Sequence, residues 1–177
     1  MRRWLIAAGA LVLIAGAVAT YAASNGGKVK VGTPGMVVEI EVRGRTAPLP
    51  PNREVPLPAG EYEVKGLKLH AQGVDKGKPV IWRIDGTKPL GKIAKVEVTN
   101  GQTTTVEGGE PLTVKTPVSI SKKGPTTAVS IGLQIIGQAG ENYRPVVYKG
   151  LSRVPNPKIQ IVGSSGNAVA TGSFEYG

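Results

Sequence analysis

Residues 36–42 have the sequence MVVEIEV, and residues 61–69 have the sequence EYEVKGLKL. In the first stretch β-branched side chains alternate with charged ones, and this period of two predicts a half-buried β-strand. In the second, the apolar positions are even-numbered up to Val64 and odd-numbered from Leu67, so a bulge at Gly66 would keep both halves facing one core. The two stretches predict an antiparallel sheet with one face on a hydrophobic core.

Alternation of this kind continues through most of the chain. After residue 23, no stretch of twelve or more residues has helical periodicity. Asn100-Gly101 lies between two alternating segments and predicts a hairpin with a type I′ turn, which requires positive φ at both residues. The proline-rich stretch 46–58 cannot form a central strand, and we expect it to cross from one sheet edge to another. The fold class predicted is therefore all-β, with two small consecutive immunoglobulin-like antiparallel β-sandwich units.

Composition divides the chain into four segments. Residues 1–23 combine a basic start, an uncharged stretch from Trp4 to Ala23 and small residues at its end. These features predict a secretory signal peptide; the alternative is an uncleaved membrane anchor, because about 20 apolar residues can span a bilayer. Residues 24–35 are small, polar and glycine-rich and are predicted to be a flexible linker. The first β-sandwich unit is expected at 36–110 and the second at 111–177.

The second unit has about five predicted strands, where an immunoglobulin-like domain uses roughly seven. Three alternatives follow: the unit is small, it borrows a strand from another chain, or the native chain continues past Gly177. The predicted last strand, Ala168–Tyr176, contains one charged residue and no proline. An edge with so little protection is prone to pair with other chains, so self-association through this strand is also expected.

Composition also excludes several classes of function. The 177 residues include no cysteine and one histidine, which rules out disulfide scaffolds, thiolate metal sites and multi-histidine metal centres. The formal net charge is +10, and +8 remains on the residues that follow the predicted signal peptide. No pattern of aromatic and basic residues suited to nucleic acid is present. Neither a metal nor a cofactor is therefore predicted, and nucleic acid is not an expected partner.

Few residues are candidates for catalysis. His70 falls in the outward set of its strand, with no acid or nucleophile that can be assigned to it. Two same-face carboxylate pairs, Glu39/Glu41 and Glu61/Glu63, would be about 6–7 Å apart along a strand, a separation that glycoside hydrolysis can use; the alternative is an ordinary outward strand face. The stretch 163–166, GSSG, fits a hairpin loop better than a nucleophile turn. No catalytic residue is assigned.

Four aromatic residues, Tyr62, Trp82, Tyr148 and Phe174, could form a platform on which sugars stack. Core packing is favoured over that role, because Tyr62 and Trp82 share the parity of inward-facing valines.

The sequence TPGMVVEIEVRG at 33–44, followed by VPLPAGEYEV at 55–64, resembles the PEGA-type surface modules of bacteria and carboxypeptidase-regulatory-like sandwiches. The opening motif departs from the PEGA pattern, because Gly35-Met36 lacks its acidic residue and its alanine. Further segments, among them NGQTTT at 100–105 and GSFEYG at 172–177, are similar to uncharacterised exported bacterial proteins with tandem β-sandwich modules. This resemblance implies a sandwich fold and favours a continuation past Gly177, and it implies no catalytic residues.

The function expected is that of a non-enzymatic exported cell-envelope module with a structural, scaffolding or protein-binding role. The alternative is a carbohydrate- or polyanion-binding domain at the cell surface, because the chain is basic. The expected location is periplasmic, cell-surface or extracellular. The expected partner is a cell-envelope protein or polysaccharide, with membrane contact only through residues 4–23 if that segment is not cleaved.

Overall fold

The computed structural model describes residues 25–175, which form an all-β protein. The strands are β1 (Gly26–Val31), β2 (Met36–Val42), β3 (Arg45–Leu49), β4 (Glu54–Pro58), β5 (Gly60–Asp75), β6 (Lys78–Leu90), β7 (Lys95–Val98), β8 (Thr103–Val106), β9 (Thr113–Lys115), β10 (Val118–Lys123), β11 (Thr126–Ile131), β12 (Gln134–Ile136), β13 (Glu141–Lys149), β14 (Ser152–Arg153), β15 (Lys158–Val162) and β16 (Ala168–Ser173). One turn of 3₁₀ helix, Gly91–Ile93, precedes β7. The predicted fold class is confirmed, since nearly all strand pairs are antiparallel.

Two sheets enclose the hydrophobic core. The small sheet has the order β4-β1-β8, and the large sheet has the order β3-β2-β5-β6-β13-β12-β9, with β7 paired to the start of β5. Both sheets contribute fully buried side chains, Val29 and Val31 from the small sheet and Val38 and Ile40 from the large one. This arrangement is that of a β-sandwich.

The bulge predicted at Gly66 is confirmed. Glu39 pairs with Gly66 and the next residue, Ile40, pairs with Val64, so Lys65 is the extra residue on β5. The proline-rich stretch also crosses between sheets as predicted, because β3 is an edge of the large sheet and β4 an edge of the small one.

The prediction of a flexible linker at residues 24–35 is wrong. Gly26–Val31 is instead the central strand of the small sheet, antiparallel to β4 and parallel to β8. The glycines that suggested flexibility have a packing role: a Cβ on Gly27 would lie 2.2 Å from the carbonyl oxygen of Thr99. Only a residue without a side chain allows these two backbone segments to approach so closely.

The Asn100-Gly101 turn is also different from the prediction. It forms, with the Gln102 amide donating to the Thr99 carbonyl at 3.2 Å. However, β7 is paired with β5 and β8 with β1, so the turn carries the chain from one sheet to the other and does not close a hairpin. Gly101 has φ +70°, whereas Asn100 is not a positive-φ residue, which excludes type I′.

The boundary predicted between the two units, at residues 110 and 111, does not divide the large sheet, which contains strands from both sides of it. β13 pairs antiparallel with β6, and β9 and β12 extend the same sheet. β14 pairs with β13, and the other strands of the predicted second unit form two-stranded ribbons, β10-β11 and β15-β16. Tyr143 explains the continuity, since this aromatic side chain of β13 is buried in the core that the earlier strands build.

The predicted signal peptide or anchor, residues 1–23, lies outside the described residues. Within residues 25–175, no helix has the length and apolar character that crossing a membrane requires.

Candidate functional site

The four glutamates considered as carboxylate pairs lie on the outer face of the sheet, and each forms an ion pair with a lysine. The pairs are Glu39–Lys68 at 2.5 Å, Glu41–Lys65 at 2.7 Å, Glu63–Lys65 at 2.7 Å and Glu61–Lys95 at 2.7 Å. The hydrogen bond from Lys65 lowers the pKa of the Glu63 carboxyl. A general acid needs a raised pKa, so Glu63 does not fit that role. The pairs of Glu39, Glu41 and Glu61 join neighbouring strands of the sheet.

His70 is half-buried on β5, and its ring meets a backbone carbonyl. Its Nδ1 lies 3.2 Å from the carbonyl oxygen of Gly35, and its backbone amide donates to the same oxygen. A carbonyl oxygen can only accept, so Nδ1 is the donor wherever this contact is a hydrogen bond. The serine-hydrolase arrangement has a carboxylate in this position, whereas the group beside Nδ1 here is a peptide oxygen.

The structure does not bring the four aromatic residues into one platform. Trp82 pairs across the sheet with Lys149, and its neighbour Arg83 pairs with Tyr148, so Trp82 and Tyr148 lie on opposite faces. Tyr62 lies nine residues along β5 from the residue opposite Trp82, which is about 30 Å. Its hydroxyl donates to the Pro58 carbonyl at 2.8 Å. GSSG at 163–166 is the turn of the β15-β16 hairpin, as predicted.

Sequence reasoning missed a polar row across the middle of the large sheet. The Arg83 guanidinium stacks 4.3 Å from the centre of the Tyr148 ring, and its Nε lies 3.1 Å from Asp85. Strand register creates this row, and the sequence alone does not give that register. The Nε of Arg83 and the Oδ1 of Asp85 are buried and form an ion pair that lacks hydrogen-bond geometry. No group of three acidic or histidine side chains suited to a metal occurs in residues 25–175.

Glu141 is a fully buried carboxylate that no sequence pattern singles out. Its Oε1 accepts hydrogen bonds from the Gly109 amide and from the Tyr143 hydroxyl, and its Oε2 accepts one from the Ala139 amide at 3.0 Å. Burial, together with the neighbouring carboxylate, raises the pKa of the Tyr143 hydroxyl. Because Glu141 has no access to solvent, this network holds the 108–109 loop to β13 and cannot receive a ligand.

The apolar side chains that remain exposed are concentrated in the second half of the chain. We define ribbon A as residues 118–131, the β10-β11 hairpin. The pairs Val118–Ile131 and Ile120–Val129 place four apolar side chains on one face, and Ser119, Ser121, Ala128 and Ser130 occupy the other. Val118, Ile120 and Val129 are 58%, 67% and 48% exposed. An apolar face left in water in this way is typical of an interaction surface.

Ribbon B, residues 158–173, is the β15-β16 hairpin. Ile161 and Val162 of its first strand and Val169 of its second are exposed. Among the described strands, β16 pairs with β15 alone, so its outer edge is open. An unpaired edge offers backbone donors and acceptors to a further strand.

Charge is distributed unequally between the two halves of the chain. Residues 25–110 contain thirteen basic and ten acidic residues, and residues 111–177 contain seven basic residues and two acids, Glu141 and Glu175. Most ion pairs join two residues of the first half, and Lys149 of the second half pairs with Asp75 of the first. The half of the chain that carries both ribbons is therefore basic with little internal compensation.

Comparison with known proteins gives no match: no family model, no curated protein and no solved structure is significantly similar to this chain.

Proposed function

We propose that this chain is a non-enzymatic exported module of the cell envelope, in which a rigid sandwich presents two β-ribbons that bind an envelope partner. The observation that carries the proposal is the uncovered apolar face of ribbon A. Its exposed valine and isoleucine side chains stand outside a sandwich whose own core is closed. The likeness of the first module to PEGA-type surface modules belongs to the same proposal.

The outer face of the sandwich supports this proposal over an enzymatic one. Its carboxylates are held by lysines, and the ring of His70 meets a backbone carbonyl. A scaffold needs such a face to be soluble and firmly packed, whereas an enzyme needs groups poised to exchange protons.

Co-sedimentation with purified cell envelopes of the source organism tests the proposal. The full chain is expected to pellet with the envelopes, and the double variant Ile120→Ser/Val129→Ser is expected to pellet less. Ser119→Ala, on the opposite face of ribbon A, is the matched control and should behave like the parent chain. A full chain that remains in the supernatant would contradict the proposal.

A second candidate is binding to a carbohydrate or polyanion at the cell surface, which the excess of basic residues after position 110 favours. Attraction of that kind is screened by salt. Retention on the envelopes that disappears at high salt in both the parent chain and Ile120→Ser/Val129→Ser would select this alternative.

A further inference from the structure

Ribbon A combines its apolar face with a cation at the tip. Along β10 the side chains of Val118, Ile120 and Lys122 follow one another on one face, and Lys122 pairs with Thr127 next to the turn at Gly124. The base is closed by the Gly132 amide, which donates to the Pro117 carbonyl at 2.8 Å. Two-stranded hairpins are marginally stable in water, so a partner that covers the apolar face would also stabilise the ribbon.

The chain segment that contains ribbon A carries charges of one sign. No acidic residue occurs between Glu110 and Glu141, a stretch that contains Lys115, Lys122 and Lys123. Glu141 is buried and already accepts three hydrogen bonds. A partner that complements ribbon A is therefore apolar where it contacts the valine and isoleucine side chains and anionic where it contacts Lys122 at the tip.

We infer that ribbon A binds the surface of an anionic lipid bilayer, with its apolar face in the boundary between headgroups and acyl chains and Lys122 among the phosphates. The inference rests on the proposed envelope function, and it adds a second membrane contact to the one expected of residues 4–23. Amphipathic segments bind bilayers through apolar burial together with attraction to anionic lipids.

Two other occupants fit less well. A hydrated anionic polymer would attract the lysines and leave the valine and isoleucine side chains in water. A second copy of ribbon A would bring one acid-free, lysine-bearing surface against another, and facing like charges are destabilising.

The chain has no cysteine, so a single introduced cysteine can carry an environment-sensitive fluorophore at one chosen site. Val129→Cys places the probe on the apolar face, and Ser119→Cys places it on the opposite face of the same ribbon. The full chain is used, mixed with vesicles of phosphatidylglycerol or of phosphatidylcholine. Because both variants contain residues 1–23, any insertion of that segment is common to them.

The probe at position 129 is expected to shift to shorter wavelength with phosphatidylglycerol vesicles and not with phosphatidylcholine vesicles, and the probe at 119 is expected to shift less. Lys122→Gln should weaken the affinity for phosphatidylglycerol vesicles, measured with the probe at position 129, about fivefold. This is the contribution of one lysine at an anionic surface. An unshifted 129 probe, or equal shifts at 119 and 129, would overturn the inference. If the probe stays unshifted while the chain still pellets with whole envelopes, the lipid partner is wrong and the proposed function stands; if the chain fails to pellet as well, both fail.

Discussion

Replacing Glu141 by glutamine is expected to lower the free energy of unfolding by about 1–3 kcal/mol. Glutamine keeps the size of the side chain but substitutes an NH₂ group for one carboxylate oxygen. With the amide oxygen in the position of Oε1, the NH₂ group faces the Ala139 amide, and with the amide reversed it faces the Gly109 amide. In either orientation at least one buried backbone N–H loses its acceptor and faces another donor. The expected loss of stability is the free-energy cost of one unsatisfied buried group.

Urea unfolding followed by tryptophan fluorescence measures this change. The matched control is Glu97→Gln, because Glu97 is exposed on β7 and its hydrogen bond, from the Thr104 hydroxyl, is accepted by the backbone oxygen. A surface substitution of that kind should change stability by less than about 0.5 kcal/mol. Equal stabilities for Glu141→Gln and Glu97→Gln would refute the reasoning that Glu141 joins the 108–109 loop to β13.

Three further outcomes are expected. Burial raises the pKa of Tyr143, so the native state keeps a proton that the unfolded chain loses near its ordinary pKa of about 10; unfolding midpoints should fall as pH rises above that value, and less steeply in Tyr143→Phe. Gly101→Ala should lower stability by about 1 kcal/mol in thermal unfolding, because φ is +70° there, and Gly101→Asn should lower it less, since asparagine tolerates this conformation. Val169→Lys should reduce self-association through the open edge of β16, with light scattering as the measurement; a parent chain that is monomeric at high concentration would contradict this.

The sequence was sufficient wherever the physical signal was local. The alternation in β2 and the change of parity around Gly66 predicted both strands and the bulge between them, because side-chain direction in a strand depends on position alone. The prolines between β3 and β4 likewise predicted a crossing between sheets.

The remainder depended on pairing between distant segments. Gly27 suggested flexibility, yet it is required where its backbone approaches Thr99, and Asn100-Gly101 joins two sheets because β7 and β8 find partners in β5 and β1. Glu141 was not singled out, because the donors that hold it lie up to 32 residues away in the chain. The uncovered apolar face of ribbon A was not predicted, since alternation does not reveal whether the apolar face of a strand is covered.

Hydrogen exchange of the full chain with and without envelopes tests the central claim most directly, since the claim is that the ribbons bind and the sandwich supports them. The account predicts that amides in residues 118–131 exchange more slowly when envelopes are present, while those of β2 and the paired part of β5 are unchanged. Unchanged exchange in both ribbons with bound envelopes, or protection confined to the sandwich, would contradict it.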